Sequence, residues 1–233
     1  MYECGVPTVK ASTVALLAIF LTGAGTVLDR PAAQLSPLIV TFEDDQIGAL
    51  PEGFKCGMTG QWKATDWRVQ EFRGMRVLGH FGFWEDDPDG VFPVCWIRDS
   101  KAKDLTLTVR LFPVRPPAAV KDAVHDGAGI VVRLKDPNNY YLMRAVPHEM
   151  RLRLYKVENG KRTTLGGKDV EIELERWHEL RLQVSGSTFT LFFNGEKLFH
   201  LMDSTFEEAG SYGLWSKPNN VTYFDDLKAE IVK

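Results

Sequence analysis

In the stretch DVEIELERWHE, residues 169–179, Glu171, Glu173 and Glu175 alternate with Ile172 and Leu174. In an extended strand the three carboxylates share one face, with neighbours roughly 6 to 7 Å apart. Two carboxyl groups flanking a glycosidic bond can hydrolyse it, one attacking or activating water while the other protonates the leaving oxygen. The same alternation is what a solvated strand face looks like, so two readings stand: a catalytic trio or a wet face.

Aromatic and basic residues form a second set of candidates. Six tryptophans are present, and Trp62, Trp67, Trp84 and Trp96 all fall in the first half of the chain. Exposed indole rings offer flat apolar platforms to the C–H faces of sugars; the competing reading is that each is a large core residue. Arg133, Arg144, Arg151 and Arg153 lie on successive extended segments with Tyr140 and Tyr141 nearby. A row of guanidiniums with Tyr140 and Tyr141, with Arg133, Tyr141 and Arg144 as its binding candidates, suits hydroxyls or carboxylates of an acidic or neutral sugar. Cross-strand ion pairs on an outer face are the alternative.

Other chemistries lack a signal. His80, His125, His148, His178 and His200 are scattered, with no pair at metal-ligand spacing. There is no Gly-x-Ser-x-Gly, no phosphate-cradling glycine loop and no Cys-x-x-Cys, so nucleotide folds and thiol redox motifs are not expected. A net charge of −3, without a basic run interleaved with aromatics, argues against nucleic acid as a partner. Carbohydrate remains the expected partner, and no cofactor is required.

The elements that must position these side chains are strands. LTLTVRLF (105–112), GIVVRLK (129–135), YYLMRAV (140–146), RLRLYKV (151–157), ELRLQVS (179–185), TFTLFFN (188–194) and EKLFHLM (196–202) alternate with a period of two. Short turn sequences join them, and Asn194-Gly195 is a strong hairpin signal because both residues tolerate positive φ. The first half reads as strands broken by long loops, around 61–72, 75–84 and 91–99, and the Pro-rich stretch 113–129 reads as one long loop. Many short strands with tight turns imply an all-β, antiparallel two-sheet sandwich of jelly-roll type, with one domain over 36–233.

Lys10 followed by the uncharged run TVALLAIFLTGAG (13–25) has the form of a secretory signal, with an uncleaved N-terminal membrane anchor as the alternative. Residues 1–33 are then signal or anchor plus linker, with cleavage expected between Ala24 and Ala33, and the protein is expected to be secreted or periplasmic. A mature chain keeps Cys56 and Cys95, which either pair in an oxidising compartment or stay as buried thiols.

Three stretches, GIVVRLKDPNNYYLMRAVPHEMRLRLYKVENGKR, WHELRLQVSGSTFTLFFNGEKLF and TFEEAGSYGLWSKPNNVTYFDDLKAE, carry a resemblance. They resemble the bacterial secreted concanavalin A-like lectin/glucanase group, and within it the 3-keto-disaccharide-hydrolase-like domains. That resemblance implies a jelly roll handling poly- or disaccharides, and the Glu171 to Glu175 stretch is similar to the Glu-x-Asp-x-Glu strand of laminarinase-like glycosidases. Members of the group carry Arg-Ala-Asn and a later Asp-Asn where this chain has Arg144-Ala145-Val146 and Met150-Arg151. In sandwiches of this kind the first and last strands often pair. The resemblance therefore brings TFEDD (41–45) beside YFDDL (223–227), where Glu43, Asp44, Asp45, Asp225 and Asp226 would hold a structural calcium or stand apart in solvent. The alternation in YFDDL slips by one at the acidic pair, which suits a bulge. The expected function is an exported glycan-binding or interaction domain without catalysis of its own. The alternatives are a glycoside hydrolase or sugar-acting lyase, and a structural envelope protein.

Overall fold

A computed structural model describes residues 36–62, 66–82, 90–117 and 127–232. Trp84, His125 and the apolar run 13–25 lie outside the described residues. In chain order the strands are β1 (Leu38–Val40), β2 (Phe54–Thr59), β3 (Asp66–Phe72), β4 (Met75–Phe81), β5 (Phe92–Ile97), β6 (Asp104–Pro113), β7 (Ala128–Asp136) and β8 (Asn139–Val146). They continue as β9 (Arg151–Glu158), β10 (Lys161–Asp169), β11 (His178–Ser185), β12 (Thr188–Phe193), β13 (Glu196–Met202), β14 (Ser211–Ser216) and β15 (Val221–Val232). The pairing is antiparallel throughout. The first sheet runs β13-β12-β11-β6-β15-β4-β3, with β1 added on β15, and the second runs β10-β9-β8-β7-β14-β5-β2. The expected all-β two-sheet sandwich is therefore observed.

Period-two alternation explains how the layers pack. Leu107, Val109 and Leu111 of β6 and Leu180, Leu182 and Val184 of β11 meet Tyr141, Met143 and Ala145 of β8 in one buried cluster between the sheets. The second sheet also buries its other face. Trp96, Val131, Tyr140, Leu142, Tyr155 and Trp215, drawn from β5, β7, β8, β9 and β14, form a second cluster there. Turn chemistry sets the register: Asn194 and Gly195 both adopt positive φ, at 48° and 82°, the geometry that matches the twist of a two-residue hairpin.

The expected strand over Glu171 to Glu175 is not formed. β10 ends at Asp169, residues 170–177 make no ladder, and Glu175 sits at φ 64°, outside the extended region. Of the five residues 171–175, Ile172 alone is buried, so a single anchor holds a loop where alternation suggested a strand. The slip at YFDDL is a real bulge. The register of β15 against β6 shifts between Asp225 and Lys228, and Asp226 takes φ 50°. β1 pairs with β15 through Leu38 opposite Ala229 and Val40 opposite Leu227, so the first and last strands do lie side by side.

Candidate glycan-binding site

Of the candidate tryptophans among the described residues, Trp62 and Trp67 lie together and Trp96 lies apart. Trp62, 42% exposed, follows β2, and Trp67 of β3 is 7% exposed. The two line one cavity of about 410 Å³, with Cys56, Gly57, Met58, Gly60 and Gln61 making the rest of its wall. β2 and β3 are the edge strands of the two sheets, so this cavity opens at the rim of the sandwich. Trp67 is fixed from behind by Phe224, at 5.8 Å between ring centroids, and by the buried His80, at 4.8 Å. Its indole N–H is shielded from solvent and has no hydrogen-bond partner among the described residues. Cys56 and Cys95 stand directly opposite one another on β2 and β5, are joined by a disulfide, and brace this wall.

Gly60 also belongs to a second, polar concavity of about 660 Å³, lined by Asp136, Asn138, Asn139, Asn159, Gly160 and Lys161. Two hairpin turns, β7 to β8 and β9 to β10, build it. The Asp136 carboxylate accepts from the Asn138 backbone N–H at 2.7 Å and from the Asn139 amide at 3.0 Å. Asn139 Oδ1 accepts from the Asn159 N–H at 3.0 Å. The Gly60 N–H donates to Asn138 Oδ1 at 3.3 Å, which ties the end of β2 to these turns. An indole platform thus runs into a rim of amides, a carboxylate and an amine, the mixture that grips a polyhydroxylated ring. The turn sequences KDPNNY and ENGK were legible as turns, but nothing local in them showed that they meet the Trp62 cavity.

Trp96 and Arg144 lie elsewhere, on the outer face of the second sheet. Trp96 is 9% exposed with Lys55 Nζ 5.8 Å from its ring centre, and the Arg144 guanidinium stands 5.3 Å from that of Trp215. Arg133 and Tyr141 are engaged inside the fold. A bulge in β7 turns Arg133, at φ 50° and 1% exposure, into a clamp that donates to the carbonyls of Lys103, Gly186 and Phe206 at 3.0, 2.5 and 2.8 Å. The Tyr141 hydroxyl donates to Asp203 at 2.5 Å, and burial together with that carboxylate pushes it up to about 12.

The carboxylates do not converge. Asp225 and Asp226 both hold Arg110 of β6, at 2.9 and 2.6 Å. Glu43 instead accepts from the Arg76 N–H at 3.2 Å, and the Arg76 guanidinium caps the backbone carbonyls of Glu43 and Asp45. Among the described residues no group of three or more His, Cys, Asp or Glu is arranged to hold a metal ion. Glu173 pairs with Arg176 at 2.6 Å, and Glu175 accepts from the Arg115 N–H at 2.6 Å. Glu171 and Glu173 line a concavity of about 380 Å³ with His148 and Met150.

No protein-family model and no curated protein matches the sequence. Solved structures do. The chain is similar to the carbohydrate binding module CBM66 from Bacillus subtilis, with a TM-score of 0.59 and 14% identity, covering 76% of this chain and 95% of that one. It is similar to domain 4 of AbnA, a GH43 extracellular arabinanase from Geobacillus stearothermophilus in complex with arabinotriose, with a TM-score of 0.53 and 12% identity over 87% of this chain and 94% of that one. It is also similar to the GH43 protein BlXynB from Bacillus licheniformis, with a TM-score of 0.56 and 17% identity, but covers only 39% of that chain. These likenesses, all under 25% identity, show the fold alone: a two-sheet jelly-roll β-sandwich.

Proposed function

We propose that this chain is a non-catalytic glycan-binding module that works outside the cytoplasm. The saccharide stacks on Trp62 and donates and accepts along the Asp136, Asn138 and Asn159 rim. One observation carries the reading: an exposed and a shielded tryptophan line a single cavity that runs through Gly60 into an amide-rich concavity. Two further facts support it. The fold is shared with a carbohydrate binding module and with a domain solved in complex with arabinotriose, and the Cys56–Cys95 disulfide suits an oxidising compartment. A screen of the chain against an array of neutral oligosaccharides, followed by titration of the hits, tests the proposal. Binding that Trp62→Ala weakens about 30-fold supports it, since a central aromatic anchor contributes about 2 kcal/mol. Binding of every hit that is unchanged in Trp62→Ala overturns it.

A second reading, hydrolysis, has one observation in its favour: Glu171 and Glu173 line one concavity beside His148. It agrees with the resemblance to 3-keto-disaccharide-hydrolase-like domains. Release of reducing sugar that is abolished in both Glu171→Gln and Glu173→Gln would establish it in place of the binding module.

A further inference from the structure

The cavity lined by Trp62 and the amide-rich concavity share Gly60, and a buried polar tie holds the chain immediately before that glycine. Thr59, the last residue of β2, is fully buried and lines neither concavity. Its hydroxyl donates to the Pro137 carbonyl at 2.5 Å and lies 2.8 Å from the hydroxyl of Tyr140, which is also fully buried. A threonine hydroxyl has one proton and a carbonyl can only accept, so the Tyr140 O–H is the donor to Thr59. Pro137 also lies directly on the β2 backbone. At Gly57, in the wall of the Trp62 cavity, a Cβ would meet Pro137 Cγ at 2.9 Å.

No sheet ladder does the same job. β2 is an end strand, and β5 and β14 separate it from β7, so the turn between β7 and β8 reaches β2 only through such contacts. The bond from the Gly60 N–H to Asn138 Oδ1 is longer, at 3.3 Å, and exposed to water. The turn between β9 and β10 follows, because the Asn138 carbonyl accepts from the Gly160 N–H at 2.9 Å. Both turns that build the amide rim are therefore registered against the Trp62 wall through Thr59. At about 410 and 660 Å³, the two concavities each fall in the roughly 300 to 1,000 Å³ range of small-molecule sites, so each has room for a ring of its own.

We propose that the site takes a linear oligosaccharide of two or more rings laid across Gly60, and that Thr59, with Tyr140 behind it, is the positioning residue that spaces the Trp62 subsite from the Asn138 subsite. This inference rests on the glycan-binding reading of the Trp62 cavity. A second ring adds affinity only while the two walls keep their spacing, since a linked contact is lost when geometry forbids both at once.

The test is titration of the full chain with neutral gluco-, manno-, galacto- and xylo-oligosaccharides of one to four rings. In a series that binds, the longer members should bind at least tenfold more tightly than the single ring. Thr59→Val keeps the shape but removes the hydroxyl; it should cut that length gain at least threefold while one-ring affinity stays within twofold. A merely structural role would lower the melting temperature without changing the ratio between lengths. Thr59→Ser restores the hydroxyl and should recover the gain. Tyr140→Phe, which removes the donor behind Thr59, should cut the gain in the same way and serves if Thr59→Val does not fold. Equal affinity of Trp62→Ala and the parent chain would overturn the glycan reading itself, as would absence of binding in all four series. With Trp62→Ala weakened, this inference alone is overturned by a parent gain below tenfold. It is overturned equally by a Thr59→Val gain within threefold of the parent's, or by a loss in Thr59→Val that is the same for one ring and four.

Discussion

Replacing Arg133 by methionine separates a structural arginine from a ligand-binding one. The side chain is 1% exposed and donates to three backbone carbonyls, those of Lys103, Gly186 and Phe206, while Asp104 lies 3.4 Å from Nη2. Methionine fills the volume of the stem but leaves all three carbonyls without their donor. The Phe206 carbonyl is buried and costs about 2 kcal/mol when orphaned; the other two are partly reached by solvent and cost about half of that each. The sum is about 4 kcal/mol, and for a domain of this size that lowers the melting temperature by about 10 °C. Urea denaturation followed by tryptophan fluorescence measures the loss, and at temperatures where the variant is folded its affinity for saccharide should equal that of the parent chain. A loss below about 1 kcal/mol would refute the clamp. Weakened saccharide binding in the folded variant would return Arg133 to the binding face where the sequence suggested it belongs.

Two other perturbations follow from buried groups. Burial holds the His80 imidazole down at about 3 against an ordinary value of 6.5, so the unfolded chain takes up a proton that the folded chain refuses. This contribution is fully present above pH 6.5 and is lost as the pH falls toward 3, at up to about 1.4 kcal/mol per pH unit. A series of urea melts between those pH values should show the slope, and His80→Gln should flatten it; an equal slope in the variant would contradict the assignment. Removal of divalent cations should leave the melting temperature unchanged, because Arg110 answers Asp225 and Asp226 while Arg76 caps the Glu43 to Asp45 turn. A fall of several degrees with chelator, restored by calcium, would show a metal at those carboxylates.

How much of this was legible in the sequence depended on whether alternation reported burial. β7, β8, β9, β11 and β12 read clearly because each sets an apolar face against the inter-sheet core and ends at a short turn. β10 did not read as a strand. Its sequence KRTTLGGKD has little to bury, since it pairs with β9 alone, and the register shift at Thr164 to Gly166 breaks the alternation. The reverse error arose at Glu171 to Glu175, where true alternation rests on Ile172 as its one buried residue.

The site was legible in parts. Trp62 and Trp67 were named, but alternation does not say which edges of two sheets meet, so Gln61, Met58 and the Asn138 turn stayed out of view. The outer cluster of the second sheet hides for a related reason: with both faces buried, Trp215 and Tyr155 look like ordinary core residues. The bulge at Asp225 was visible as a slipped period, yet its partner Arg110 is 115 residues away and leaves no local trace.

Isothermal titration of the chain and of Trp62→Ala against the best neutral oligosaccharide tests the central claim most directly. Saturable binding that weakens about 30-fold in the variant, with no change in melting temperature, is the predicted result. Equal affinity in the two proteins would contradict it.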